Sequence, residues 1–234
     1  MKKSLLIGVL MIALTLCGCS ASDSSDAGSA ANGSAASSHT PELFAMDTVM
    51  TLEAYGDQAE TALDAATAEI ERLDALFSIS SSDGDIATLN ANKTVTAEAD
   101  TLTLLERAQD IAISTDGLFN CTIAPLMDAW GFSSGDYKVP DAATLNSLLA
   151  ALDYSQVAIS GDTVTIPEDV AIDLGGIAKG FTSDRVMKIF ANNGVTSGII
   201  SLGGNVQTLG HKPDGSLWRV GIQDPDDTSS ILAT

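Results

Sequence analysis

The chain has 234 residues, enough for one large domain or two small ones. Hydrophobic residues make up 45 % of it, too many for a disordered chain, and 31 acidic against 11 basic residues give a formal net charge of -20, which argues against sequence-independent nucleic-acid binding. Cys17, Cys19 and Cys121, with two histidines in the whole chain, exclude a disulfide framework and a Cys/His zinc site, so any metal must be held by oxygen.

Lys2 and Lys3 precede an uncharged apolar run from Leu5 to Leu16, too short to span a bilayer comfortably, which reads as the h-region of a secretory signal. Leu16-Cys17-Gly18-Cys19 follows and resembles the lipobox of bacterial lipoproteins, in which the signal is cut before a cysteine that is then lipidated. The resemblance implies a signal peptide over residues 1–18, a lipid on Cys19 and a location on the extracytoplasmic face of the cell membrane. Loss of Lys2 and Lys3 would take the net charge to -22, which holds the body away from anionic headgroups. Residues 19–40 are expected to be a flexible tether: from Ser20 to Ser38 there is no large apolar side chain to bury. Such a coil has a typical end-to-end distance of ~25 Å. The folded body then occupies residues 41–234.

Phe44 to Tyr55 has strand character and closes at Gly56. Ala59, Leu63, Ala66, Ile70, Leu73 and Phe77 then recur at helical spacing, with Glu60, Asp64 and Glu71 turned to solvent, so this acidic run is a solvated helix face and not a metal site. A second helix is predicted over Ala97 to Ser114, with Leu102, Leu105 and Ile111 inward and Gly117 just past its end. Asp141 starts a third, carrying Leu145, Leu148 and Leu152. Gln156 to Ser160 and Thr163 to Pro167 flank Gly161-Asp162 as a β-hairpin, and Val170 to Asp173 reads as a short strand. Gly180 to Asn193 is helical, with Val186, Ile189 and Phe190 inward and Asn193-Gly194 as its stop. Strands are predicted at Gly198 to Leu202, Val206 to Leu209 and Leu217 to Ile222. Helices mixed with hairpin-linked strands, without an internal repeat, argue for an α+β fold.

The segment richest in chemistry runs from Ile172 to Phe181: an acid, two glycines, then Lys179 at the start of a helix. Glycines let backbone approach a ligand closely, and helix N-termini offer N–H groups to anions. Five of the nine cations left after the signal (Lys179, Arg185, Lys188, Lys212 and Arg219) fall within forty-one residues, which points to a phosphate-bearing small molecule. The glycine spacing matches neither the dinucleotide fingerprint nor the P-loop, and a plain glycine-rich turn with surface lysines is the alternative.

Asp173-Leu174-Gly175-Gly176-Ile177-Ala178-Lys179-Gly180 is similar to the central motif of the ApbE family, the FAD:protein FMN transferases, formerly described as thiamine-biosynthesis lipoproteins. Four further segments resemble the family in the same order. They are Met46-Asp47-Thr48; Phe77 to Ser80 with Asp85 to Asn90; Gly117 to Thr122 with Pro125-Leu126 and Trp130 to Phe132; and Ser201 to Asn205 followed by Trp218 to Pro225. Together they cover the chain from about Met46 to Pro225.

The resemblance implies an ApbE-like, T-fold-related domain of helices and mainly antiparallel sheet. It implies Mg²⁺-dependent transfer of FMN from FAD to a Thr or Ser hydroxyl of an envelope flavoprotein, with release of AMP. FAD pyrophosphatase activity and FAD binding without turnover are the competing readings. Position by position, Met46 would touch the flavin, Leu118-Phe119-Asn120 would line the FAD pocket, Asp173 and Lys179 would bind FAD, and Gly176 would lend a carbonyl to Mg²⁺. Ser80 stands where many relatives carry a Tyr against the flavin, and Asn120 where an Asp is usual. Structural alternatives stay open: Met46 and Phe119 as core, Asp173 as a cap for the following helix. His211 reads as a turn residue and not as a base. The Thr-Ser-Gly, Asp-Pro-x-Thr-Gly and Ala-Asp-x-x-x-Thr segments of relatives do not occur before Thr234, so the chain is expected to be the N-terminal part of such a domain, with the catalytic base beyond Thr234.

Overall fold

The computed structural model describes residues 38–39 and 42–234. The signal, the Cys19 anchor and nearly all of the tether lie outside the described residues. In chain order the elements are β1 (Ser38–His39), β2 (Glu42–Ala45), β3 (Thr48–Tyr55), α1 (Ala59–Phe77), α2 (Asp85–Asn92), β4 (Thr94–Thr96) and α3 (Ala99–Ser114). They continue with α4 (Ala124–Trp130), α5 (Ala142–Ala151), β5 (Ala158–Ser160), β6 (Thr163–Thr165), α6 (Ala178–Asn192), β7 (Ser197–Leu202), β8 (Asn205–Leu209), β9 (Ile222–Gln223) and β10 (Ile231–Ala233). Among the described residues no helix is long and apolar enough to cross a membrane.

β3 is the hub of an antiparallel sheet: β7 pairs along one edge, from Met50 against Leu202 to Tyr55 against Ser197, and β8 continues beyond β7. The other edge of β3 is shared by β2 and by β1, whose Ser38 and His39 pair with Tyr55 and Ala54, so the last part of the segment read as tether is held in the sheet. The alternation of β3 puts Met50, Leu52 and Ala54 on one face, where they are buried with Ile200 and Leu202 of β7 against Leu63, Ala66 and Ile70 of α1 and Val186 and Phe190 of α6. The C-terminal half of α1 turns Leu73, Leu76 and Phe77 into a second core with Ile86 and Leu89 of α2, Leu104 and Leu105 of α3, and Val164, Ile172 and Leu174. One helix therefore serves both cores, which is why its apolar stripe runs unbroken through all five turns.

Three predicted elements differ. Phe44 to Tyr55 is not one strand but the hairpin of β2 and β3, closed by Met46-Asp47 with φ of 49° and 57°, both in the left-handed region that two-residue hairpin loops require. Val170 to Asp173 is extended but joins no sheet, because other groups satisfy its backbone. Asn90 receives the Ile172 N–H at Oδ1 (2.7 Å) and donates from Nδ2 to the Ile172 carbonyl (2.8 Å), Lys93 Nζ donates to the Val170 carbonyl, and the Asp173 N–H goes to the Cys121 carbonyl. Of Leu217 to Ile222 only Ile222 is in a strand, β9, paired with β10. Leu145 and Leu148 of α5 and Leu152 just past its end are half-buried and join neither core, although Asp141 does cap the helix by accepting the Thr144 N–H at 2.9 Å. α6 starts two residues earlier than predicted, at Ala178, and stops where Gly194 takes a φ of 74°.

Candidate active-site groove

Leu174 ends buried, and the chain then turns through Gly175, Gly176 and Ile177 into α6. The turn is held from inside: Asp173 Oδ1 accepts the Gly175 N–H at 2.7 Å, and the Leu174 carbonyl accepts the N–H groups of Ile177 and Ala178, both at 2.9 Å. Those three donors are occupied by the protein, and of them only the Ala178 N–H belongs to α6. A side chain at 175 would meet the Asp173 carboxylate at 3.0 Å, and one at 176 would meet the Phe119 ring at 3.1 Å. At both positions a side chain fits only if the Asp173 or Phe119 side chain gives way by a few tenths of an ångström.

Above this turn lies an open groove of about 560 Å³. It is lined by the Gly175-Gly176-Ile177 turn, by a wall of Lys179, Gly180, Phe181 and Asp184 from α6, by a wall of Leu104, Arg107 and Ile111 from α3, and by Gly203 and Asn205 at the β7–β8 turn. That size falls in the range of small-ligand sites. The Asn205 side chain locks the turn to α6 by donating from Nδ2 to Ser183 Oγ at 2.7 Å and to the Lys179 carbonyl at 3.5 Å. Gly203, with a φ of 59°, sits so close to Thr48 that a Cβ would come 2.5 Å from its Oγ1. The β2–β3 turn, the β7–β8 turn and the start of α6 are thus one assembly.

Of the residues expected to bind FAD or metal, Lys179 and Gly176 line the groove, and Asp173 is not on the lining but holds its carboxylate on the Gly175 N–H. Phe119 joins them through its ring, which packs on Gly176 and on the second core. Met46 packs against both cores; its N–H donates to Asp74 Oδ1 at 2.8 Å, and the Thr182 hydroxyl lies 3.7 Å from its Sδ. Asn120 Oδ1 is engaged by the N–H and hydroxyl of Thr122. Leu118 is 93 % exposed beside Phe119, and Ser80 is exposed in the turn after α1, with its N–H on Ser78 Oγ; neither lines the groove.

The clustering of cations is corrected by their partners. Arg185 pairs with Asp100 and lies 3.7 Å from Glu69, its guanidinium stacked over Phe181 at 5.5 Å; Asp100 and Glu69 also hold Arg72, so α1, α3 and α6 are tied by one ion-pair network. Lys212 stacks on Trp218 at 5.7 Å, and Arg219 donates to Thr234 Oγ1. Of the five grouped cations only Lys179 lines the groove. Arg107, on the α3 wall, was missed. No motif marks it; the one pointer is its place four residues before Ile111, which is predicted to face inward.

No group of three or more His, Cys, Asp or Glu side chains that could hold a metal ion exists among the described residues. Mg²⁺ prefers near-octahedral oxygen coordination. The Gly176 carbonyl together with Asp173, whose Oδ1 already serves Gly175, does not supply that donor set, so these residues alone do not fit the ion. Burial pushes the Cys121 thiol up to about 11, which makes it an inert core residue and not a nucleophile.

Curated relatives include the FAD:protein FMN transferases of Klebsiella pneumoniae, 29 % identical over 162 residues (67 % of this chain, 49 % of the relative), and of Treponema pallidum, 29 % identical over 190 residues (73 % and 52 %). The chain spans about half the length of the curated relatives it matches. The crystal structure of the ApbE protein of Thermotoga maritima superposes with a TM-score of 0.78 at 26 % identity, covering 84 % of this chain and 66 % of that one. It is similar in its mixture of helices and antiparallel sheet. The ApbE family model matches residues 46–234, from the Met46 turn through the groove and beyond, and the chain belongs to the ApbE family.

Proposed function

We propose that this chain carries the FAD-holding portion of an FAD:protein FMN transferase. The observation that supports the reading most is the groove itself: Lys179, the Gly175-Gly176 turn and the Gly203 to Asn205 turn, far apart in sequence, meet around one hollow of ligand size. In the reaction, a Thr or Ser hydroxyl oxygen of the acceptor protein bonds to the FMN-side phosphorus of FAD. The bond from that phosphorus to the bridging oxygen breaks, AMP leaves with that oxygen, and the hydroxyl proton passes to a base. Within this chain, Lys179 offsets phosphate charge, and the glycine turn lets the backbone come close. Phosphoryl transfer rests mainly on such positioning and electrostatics.

Mg²⁺ belongs to the proposal through the family resemblance, with the Gly176 carbonyl as one oxygen; the remaining ligands would come from outside the described residues. Location at the cell membrane, lipid attachment at Cys19 and flavoproteins of the cell envelope as acceptors are likewise proposed. They rest on Lys2-Lys3, the apolar run and the Leu16 to Cys19 sequence. Cys19→Ala should abolish incorporation of labelled fatty acid, and unchanged incorporation would remove the anchor.

The test of the reaction is to incubate the chain with FAD, Mg²⁺ and a protein bearing an acceptor threonine. AMP release and covalent flavin on the acceptor, read by mass spectrometry and in-gel fluorescence, support transfer. AMP with free FMN would replace transfer with hydrolysis, and FAD binding without turnover would leave the FAD-holding role in place and take the transfer step away from this chain. A chain that does not bind FAD overturns the reading.

A further inference from the structure

We infer that Arg107 is a second phosphate contact in the groove and orients the pyrophosphate of the bound dinucleotide; this rests on the flavin-transferase reading. The other cations of the described residues are engaged elsewhere. Arg72 and Arg185 are held by Glu69 and Asp100, Lys93 donates to the Val170 carbonyl, Lys212 stacks on Trp218, and Arg219 reaches Thr234. Lys138 and Lys188 do not line the groove. Arg107 and Lys179 do, and neither has an ion pair among the described residues. The one carboxylate on the lining, Asp184, receives Gln207 Nε2 at 3.5 Å.

In a chain of net charge -20, a groove lined by two cations and one carboxylate, with the Asp173 carboxylate held on Gly175 beside it, is locally close to neutral and not acidic. Both carboxylates accept hydrogen bonds from the protein, Asp173 from the Gly175 N–H and Asp184 from Gln207, which leaves the two cations without an ion-pair partner as the groups that meet an anion. α3 fixes where the charge stands: Leu104 is buried and Ile111 half-buried, each within about one helical turn of Arg107 on the same stripe. The two groups also differ in kind. A lysine ammonium is a compact point charge, whereas the planar fork of a guanidinium pairs two phosphate oxygens at once and so selects an orientation. Arg107 and Lys179 line the same groove from two different helices, α3 and α6, so a pyrophosphate held in it has both cations on its lining.

The experiment is a flavin-fluorescence titration of the whole chain and of Arg107→Gln and Arg107→Lys with FAD at two salt concentrations, with riboflavin as the phosphate-free probe. A charge-assisted contact predicts FAD binding weakened roughly ten- to hundred-fold in Arg107→Gln. The salt dependence should be shallower in that variant, part of the affinity should be recovered in Arg107→Lys, and riboflavin should behave alike in all three. Equal FAD affinity in the parent and Arg107→Gln overturns the assignment while leaving the flavin reading intact. So does an equal loss for riboflavin, or a Lys variant as weak as the Gln variant at unchanged salt dependence. A parent chain that binds no FAD overturns the flavin reading, and this inference falls with it.

Discussion

The N–H of Met46 donates to Asp74 Oδ1 at 2.8 Å, a bond between the β2–β3 turn and the helix that serves both cores. Met46 and Asp47 both hold positive φ without being glycine, a conformation that costs roughly 1–2 kcal/mol per residue and needs an external support. Asp74 is that support. Asp74→Ala should lower stability by about 1–3 kcal/mol, since a hydrogen bond to a charged group is lost, while Asp74→Asn, which keeps an acceptor oxygen, should lose less. Urea midpoints at constant slope read the difference, and equal midpoints for Ala and Asn would show that the carboxylate is not what holds the turn.

Gly203 closes the same assembly from the other side. Its φ of 59° is unfavourable for any side chain, and a Cβ would stand 2.5 Å from Thr48 Oγ1 and 2.6 Å from its Cγ2. Gly203→Ala should therefore cost about 2–4 kcal/mol, combining backbone strain with overpacking. Gly215→Ala, at φ of 82° in open space, carries the strain alone and should cost only about 1–2 kcal/mol. Thermal melts of the two variants separate the terms. If both lose the same, the Thr48 contact yields without cost.

Much of this was legible in the sequence where one period persists. α1 ends at the residues the spacing implies, Ala59 and Phe77, because a 3.6-residue stripe over nineteen residues admits one interpretation. The Met46-Asp47 turn was hidden because it lacks the Asn-Gly signature and depends on Asp74, twenty-eight residues later. Val170 to Asp173 mimics a strand because β-branched residues favour extended backbone, and only the distant Asn90 reveals that its hydrogen bonds go elsewhere. In the groove, the glycine turn and Lys179 could be read locally. Arg185 could not, since its partner Asp100 lies eighty-five residues away, and the α3 wall bears no motif at all.

Cys121 gives the fold an alkaline limit. Burial raises its thiol from the usual 9.0 to about 11, so the folded state keeps the proton where the unfolded chain releases it. This stabilisation is complete below pH 9 and is lost as pH rises towards 11, by about 2–3 kcal/mol in all. Cys121→Ala costs stability at every pH by leaving a cavity, yet it should remove that share of the slope. Denaturant titrations of both proteins at pH 8, 9, 10 and 11 give the comparison, and parallel pH profiles would show that the thiol titrates normally.

The last prediction separates the two roles open to Asp173. Its Oδ1 is committed to the Gly175 N–H at 2.7 Å, whereas Lys179 has no ion pair among the described residues and lines the groove directly. A residue that shapes the turn and one that touches the ligand respond differently to substitution. Lys179→Ala should weaken FAD binding by about 1.5–3 kcal/mol without changing the fold's stability. Asp173→Asn retains an acceptor for the Gly175 N–H and should keep most of the affinity; Asp173→Ala frees that N–H and loosens the turn, so affinity and stability should fall together. Glu71, on the solvated face of α1, sets the zero: Glu71→Ala should do neither. Calorimetric titration with FAD beside urea unfolding of the four variants decides the matter. If Asp173→Asn binds FAD as weakly as Asp173→Ala while both stay as stable as the parent, the carboxylate acts on the ligand itself, and its role in the turn is secondary.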